Sequence, residues 1–257
     1  MLRQERLLKL GEAKTILEQR AQERYAGEKA EYAHKMRERE AKMRKRKRKH
    51  GGKTPKPPEV GPRDTDQYNF TDPQSRIMKN STNDGFDQHY NVQVAVEQNS
   101  MLIVATSLSN HPNDKQEAEP TLRALPAELG KPKAAALDNG FFSAATINLM
   151  DGLGIEPYIA TGREAHHKDL NVLLRKLPEE PAPDASPKEK MAYKLATEIG
   201  QAIYRLRKCT VEPVIGIIKE ILGFRQFSLR GLKKVTGEWC LVCLAFNLKR
   251  MHVLMAG

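Results

Sequence analysis

Two acidic residues stand where chemistry is possible. Asp138 ends the short apolar run Ala134-Ala-Ala-Leu137 and precedes Asn139-Gly140. The run reads as a buried strand and Asn-Gly as a turn. In α/β proteins ligands meet the carboxyl ends of strands, where a carboxylate can hold a divalent cation. The same pattern suits an aspartate that bonds its own backbone in a turn. Glu212 lies in Tyr204-Arg-Leu-Arg-Lys-Cys-Thr-Val-Glu-Pro-Val-Ile-Gly-Ile-Ile-Lys219. On a helix, Arg207 and Lys208 lie one turn before it and Lys219 two turns after it, on one face. A carboxylate flanked by cations suits joint binding of a metal and a phosphodiester. An exposed helix with spaced ion pairs is the plainer alternative.

A third feature is charge. Residues 1–50 hold 17 Lys and Arg against 8 acids, while the other 207 hold 26 against 24, so the net charge of +11 sits almost wholly in one arm. Its peak, Lys42 to Lys49, includes Lys45, Arg46, Lys47 and Arg48. Such a run neutralises phosphates without reading sequence. The alternative is a solvated charge block.

The elements that must position these residues follow from the pattern. Leu2 to about Lys49 contains no proline and reads as a long exposed helix, forming a basic arm over 1–50. Residues 51–66 are a Gly/Pro linker. Gly51-Gly-Lys-Thr54 has the ending of a phosphate loop, but no strand precedes it and prolines follow, so it is set aside. A folded domain is expected over 67–257. Tyr90–Glu97 alternates and pairs with Leu102–Leu108 as a hairpin. Asp114 is expected to cap a helix that runs irregularly to Leu129, because of Pro120 and Pro126. Strands are expected at 134–138 and 156–160, with a helix capped by Ser143 between them. Residues 162–188 read as an irregular insert. Helices are expected over 190–222, with a break near Thr210–Pro213, and over 235–254. This order argues α/β with a mixed sheet. Cys240 and Cys243 are expected in a helical core rather than on zinc, and Cys209 is expected to be buried.

These residues resemble the C-terminal portion of the insertion-sequence DDE transposases, the group with a Tyr–Arg–Glu–Lys signature. The resemblance rests on Thr71-Asp-Pro-Gln-Ser-Arg-Ile-Met-Lys79, Gly85-Phe-Asp-Gln-His-Tyr-Asn-Val-Gln-Val-Ala-Val96, Leu137-Asp-Asn-Gly-Phe-Phe-Ser143, Tyr158-Ile-Ala-Thr-Gly-Arg163, Val211-Glu-Pro-Val-Ile-Gly216 and Gly223–Val235. It covers roughly 67–252 in order. It implies an RNase H-like mixed sheet flanked by helices, preceded here by the long basic helix. It makes Asp138 the second catalytic Asp and Glu212 the catalytic Glu. Tyr204, Arg207 or Lys208, and Lys219 then contact DNA. The family chemistry implied is in-line attack on a DNA phosphodiester by a water or 3′-hydroxyl, at two Mg²⁺ (or Mn²⁺) ions held by two Asp and one Glu. The implied partner is double-stranded DNA at transposon ends. A homodimer, or association with a missing N-terminal part, is expected.

The family's first Asp sits on a strand before the hairpin, and no such β-pattern precedes Tyr90. The nearby acids are Asp72, Asp84 and Asp87, the last two expected in a loop. The chain therefore reads as a partial copy lacking the first strand, with activity of its own doubtful. Two other readings stand beside this: a DNA-binding remnant that uses the basic arm, and an interaction protein whose charged helix pairs with a partner. With 39% hydrophobic and 29% charged residues, collagen-like, mucin-like and wholly disordered classes are excluded. No unbroken apolar run approaches membrane length. The N-terminus lacks a leader's apolar core, and three cysteines fit a reducing compartment. The expected location is the bacterial cytoplasm, at the nucleoid, with no membrane partner.

Overall fold

The computed structural model describes residues 2–46, 53–79, 85–162 and 179–256. They divide into two units, Met1–Pro73 and Gln74–Gly257.

In the first unit, helix α1 spans Leu2–Arg46. Its Ala-, Glu-, Lys- and Arg-rich sequence favours helix, and pairs such as Glu31–Lys35 (2.6 Å) reinforce it. Most of it is exposed, but Ala13 and Ala21 are buried along one strip. The Gly/Pro stretch expected as a linker lies, over 53–66, against this helix. Arg24 donates to Asp66 (2.6 Å) and to the Gly61 carbonyl (3.1 Å). Arg63 donates to both Glu28 oxygens at 3.0 and 2.8 Å. Arg20 lies over the Tyr68 ring at 5.6 Å. Proline has little backbone freedom to lose, so a few ion pairs suffice to order such a segment.

The second unit opens with β1 (Arg76–Lys79) and β2 (Phe86–His89), an antiparallel pair in the register Arg76↔His89. This corrects the expectation of no strand before Tyr90. Asp87 stands in β2 rather than in a loop, and Asp84 lies outside the described residues. The hairpin β3 (Asn91–Val96) and β4 (Ile103–Ser109) follows as expected. Its turn is held by Glu97, which accepts from the Asn99 and Ser100 amides at 3.1 and 2.7 Å. After β4 the chain makes short turns around α2 (Ala118–Arg123). Asn113, not Asp114, caps the first of these, accepting from the Lys115 amide at 3.3 Å. A parallel unit comes next: β5 (Ala134–Leu137), α3 (Ala144–Leu153) and β6 (Glu156–Ile159). Ser143 caps α3 by accepting from Thr146 (3.0 Å), and Gly154 closes it at φ 63°. Most of the expected insert, 163–178, lies outside the described residues.

Helices α4 (Pro187–Ala196) and α5 (Glu198–Gly216) meet at Thr197. Ser186 and Glu189 form a capping box on α4. The expected break near Thr210–Pro213 is absent: α5 continues through Pro213, with the Thr210 hydroxyl donating to the Leu206 carbonyl at 2.9 Å. A π turn at Ile217–Ile221 follows, then α6 (Leu232–Ala256).

The molecule is thus mixed α/β with a long N-terminal helix, but the single mixed sheet is not what forms. Among the described residues β3 pairs only with β4 and β5 only with β6, and no ladder joins the two. One core packs α6 on β4: Trp239, Cys243 and Phe246 meet Ile103, Val214 and Ile218. Asn247 bonds both backbone groups of Ile103 at 2.9 and 2.8 Å, and Trp239 donates to Thr106 at 2.5 Å. The other core joins Met150, Ile155, Ile159 and Met191 under Leu137. Helix α5 touches β3, β5 and β6, and so lies against both ladders.

Candidate functional site

Asp138 leaves β5 at its carboxyl end and caps the short turn Asn139–Phe141. Its Oδ1 accepts from the Gly140 amide at 2.8 Å, so the turn-aspartate pattern is realised. A second carboxylate meets it there. A Cβ added to Gly140 would stand 2.6 Å from Asp114 Oδ2 and 3.0 Å from Asp138 Oδ1. The two oxygens therefore flank one glycine, and each stands closer to that place than a methyl group there would allow.

Asp114 is held in that position by β3. Its Oδ1 accepts from the side-chain amides of Asn91 and Gln93, each at 2.8 Å. Asn91 also donates to the His111 carbonyl at 3.2 Å. His111 Nδ1 lies 2.6 Å from the buried Glu117 carboxylate, which pins the same turn. Sequence reasoning missed this corner and treated Asp114 as a cap. The signal was present in β3, where Asn91 and Gln93 share one face and interrupt an otherwise apolar strand. Two amides on one side need acceptors when half-buried.

Glu212 lies elsewhere on α5. Its side chain is 56% exposed and meets Arg207 at 3.4 Å. Arg207 is only 19% exposed; its guanidinium lies 5.5 Å over the ring of buried Tyr204. Its Nε is buried without a hydrogen-bond partner among the described residues. Lys208 and Lys219 are both exposed on the same helical stretch. Lys219 falls inside the π turn, so it is not simply two α-helical turns beyond Glu212 as expected. Lys45 and Arg46 end α1; Lys47 and Arg48 lie outside the described residues.

The site's acids do not make the donor set that two magnesium or manganese ions require. Among the described residues no three His, Cys, Asp or Glu side chains gather as metal ligands. Asp114 and Asp138 offer hard oxygen donors but stand as a pair, and Glu212 is engaged by Arg207. Of the acids weighed as a third ligand, Asp72 is buried in the first unit and Asp87 stands on β2. The cysteines form no metal site either: Cys209 and Cys240 are exposed, correcting the burial expected for both. Cys243 is buried, which pushes its thiol up to about 11.

Residues 175–252 match the family model described as the transposase DDE domain. The match bears out the resemblance to a DDE transposase C-terminal portion over these residues. It takes in α4, α5, the π turn and most of α6, and with them Tyr204, Arg207, Lys208, Glu212 and Lys219. No curated protein and no solved structure gives a significant match.

Proposed function

We propose that this chain is the C-terminal portion of a DDE-class DNA transposase, a polynucleotidyl transferase acting in insertion-sequence transposition. The carrying observation is the match over 175–252, the stretch that contains Glu212 and its flanking cations. Asp138, at the carboxyl end of a parallel strand, is where an RNase H-like sheet would put a second catalytic acid.

Among the described residues the site is incomplete. No ladder joins β3 to β5, and no third acid completes a ligand set among the described residues. In this reading Asp138 and Glu212 are two of three carboxylates, and the first Asp arrives on a strand that is not among the described residues. That strand would fit between β3 and β5, giving both a neighbour and drawing Asp138 and Glu212 toward one metal site. Magnesium or manganese would bind only then. Arg207, Lys208, Lys219 and Tyr204 would contact the backbone of duplex transposon ends, and Lys45, Arg46, Lys47 and Arg48 would add affinity that does not depend on sequence. The natural setting is the bacterial cytoplasm, at the nucleoid. A remnant acting through the basic arm alone is less well supported, because the family match lies on the other half of the chain.

The test has two parts. Labelled duplex DNA is incubated with the chain and Mg²⁺, and the DNA 5′ of the Met1 codon is translated in all three frames. The expected results are no metal-dependent cleavage or joining, and an upstream strand bearing an Asp, in frame or one shift away. Cleavage by this chain alone that Asp138→Ala abolishes would overturn the incomplete-site reading. Absence of any such upstream strand would overturn the transposase-fragment reading.

A further inference from the structure

Helix α6 has two different faces. One is the core face, with Val235, Trp239, Cys243 and Phe246 buried. The other carries Leu241, Leu244, Leu248, Met251 and Met255, exposed at 67, 52, 59, 46 and 84%. These five recur at alternating steps of three and four, the heptad spacing by which one helix packs along another. Lys234 and Gly237 extend the same row toward the N-terminus, and a Cβ on Gly237 would meet nothing within 4 Å. The helix is also long and apolar enough to cross a membrane by length and composition.

We infer that this row is a self-association seam, on which a second copy of the chain packs its own α6 in parallel and in register. The spacing favours a helix as occupant. Charge is compatible with the same helix. With Leu241 in the first core position of its heptad, Lys233 and Glu238 fall at the flanking positions that face each other across a parallel pair. Glu238 already accepts from the Ser228 and Leu229 amides at 2.9 Å each, so the other copy's Lys adds charge complementarity to a carboxylate that its own chain holds in place. Lys234 takes a core position at the end of the seam, where one polar residue sets register at some cost in stability. Area is sufficient. Five large apolar side chains of this exposure form a patch on the order of 500 Å², near the top of what monomers expose. A two-fold pair removes it twice, on the order of 1,000 Å², the threshold for a specific interface. A bilayer suits the helix less well. Its opposite face is committed to β4, and Asn247 and Arg250 are tied to the backbone of Ile103 and Ser100. The inference does not depend on the transposase reading.

The test uses the full chain. Analytical ultracentrifugation at tens of micromolar should give twice the mass of the single chain. Leu248→Glu and Leu248→Lys should each sediment as monomers with unchanged circular dichroism, since Leu248 touches no core, and mixing the two should restore the dimer. In a chain with Cys209→Ser and Cys240→Ser, since both native thiols are exposed, Leu241→Cys should cross-link to itself under mild oxidant, as a parallel, in-register pair allows. A monomeric wild-type chain would overturn the inference, as would a dimer that survives Leu248→Glu or a Leu241→Cys chain that forms no cross-link. Co-flotation of the wild-type chain, but not Leu248→Glu, with phosphatidylcholine vesicles would replace the second copy with a membrane.

Discussion

Gly140 is the residue on which the Asp138 corner turns. With the Asp114 and Asp138 oxygens 2.6 and 3.0 Å from the place of a Cβ, Gly140→Ala must push one carboxylate away. Overpacking of this kind costs about 1–3 kcal/mol. Urea melts should show that loss, and Asp114→Ala should relieve most of it, a coupling that distant residues would not show. An additive double mutant would mean that Asp114 does not crowd Gly140. The cysteines make a second residue-scale expectation. Cys243 is buried with its thiol raised to about 11, while Cys209 and Cys240 are exposed. Ellman's reagent at pH 8 and low protein concentration should therefore modify Cys209 and Cys240, with Cys243 reacting only in denaturant. Rapid reaction of all three would contradict the packing of α6 on β4. At this scale the sequence was half legible. The type and place of Asp138 were readable because strand and turn are local signals. The partnership with Asp114 was not, because it runs through Asn91 and Gln93, more than 20 positions away. Cys209 was misjudged because the usual burial of cysteine was weighed above its charged neighbours Arg207 and Lys208.

At the scale of elements, the corner between α4 and α5 depends on the absence of a side chain. A Cβ on Gly200 would lie 1.9 Å from the Lys194 carbonyl oxygen, which is backbone and cannot swing aside. Gly200→Ala should cost more than about 3 kcal/mol, the upper range for overpacking, or leave α4 undocked from Ile159. Gly152→Ala, with open space around it, should cost far less. Equal melting of the two variants would refute the tight corner. Docking of residues 53–73 on α1 carries a pH dependence. The hydrogen bond from Arg24 holds the Asp66 carboxyl below its ordinary 3.8. The stabilisation is therefore present above the ordinary carboxylate range and is lost as pH falls through the lowered folded value. Hydrogen exchange at the Arg63 amide, which donates to Asp66 at 2.8 Å, should stay slow at pH 5 and open only below about pH 3.8. In Arg24→Ala the opening should move to higher pH. Elements with local punctuation were readable beforehand where the cap stood out, as Ser143 does before α3; the start of α4 at Ser186 was missed, because the prolines around it read as an irregular insert. The pair β1–β2 was not readable either, because Arg-Ile-Met-Lys and Phe-Asp-Gln-His are short, mostly polar, and show no alternation. The π turn at Lys219 was hidden for a related reason: its extra residue shifts a helical face without changing composition.

For the whole molecule, the division of charge sets the terms of the DNA binding proposed above. The arm over residues 1–50 carries a net +9 of the total +11. Binding should therefore be weakly sequence-dependent and steeply salt-dependent, because each phosphate neutralised releases condensed counterions. Replacing Lys45, Arg46, Lys47 and Arg48 together by Ala removes four cations from the peak of the arm's charge. In a plot of log affinity against log salt, the slope for duplex DNA should become shallower by about 4, at roughly 0.9 per contact. The melting temperature should not move. The same measurement separates arm from domain. If the signature residues also grip the backbone, Lys208→Ala with Lys219→Ala should flatten the slope by about 2 more, and a duplex with transposon ends should retain a preference that the arm variant leaves intact. A slope unchanged by the arm substitution would show that the basic run is a solvated charge block, and DNA contact would then rest on α5 and the π turn alone.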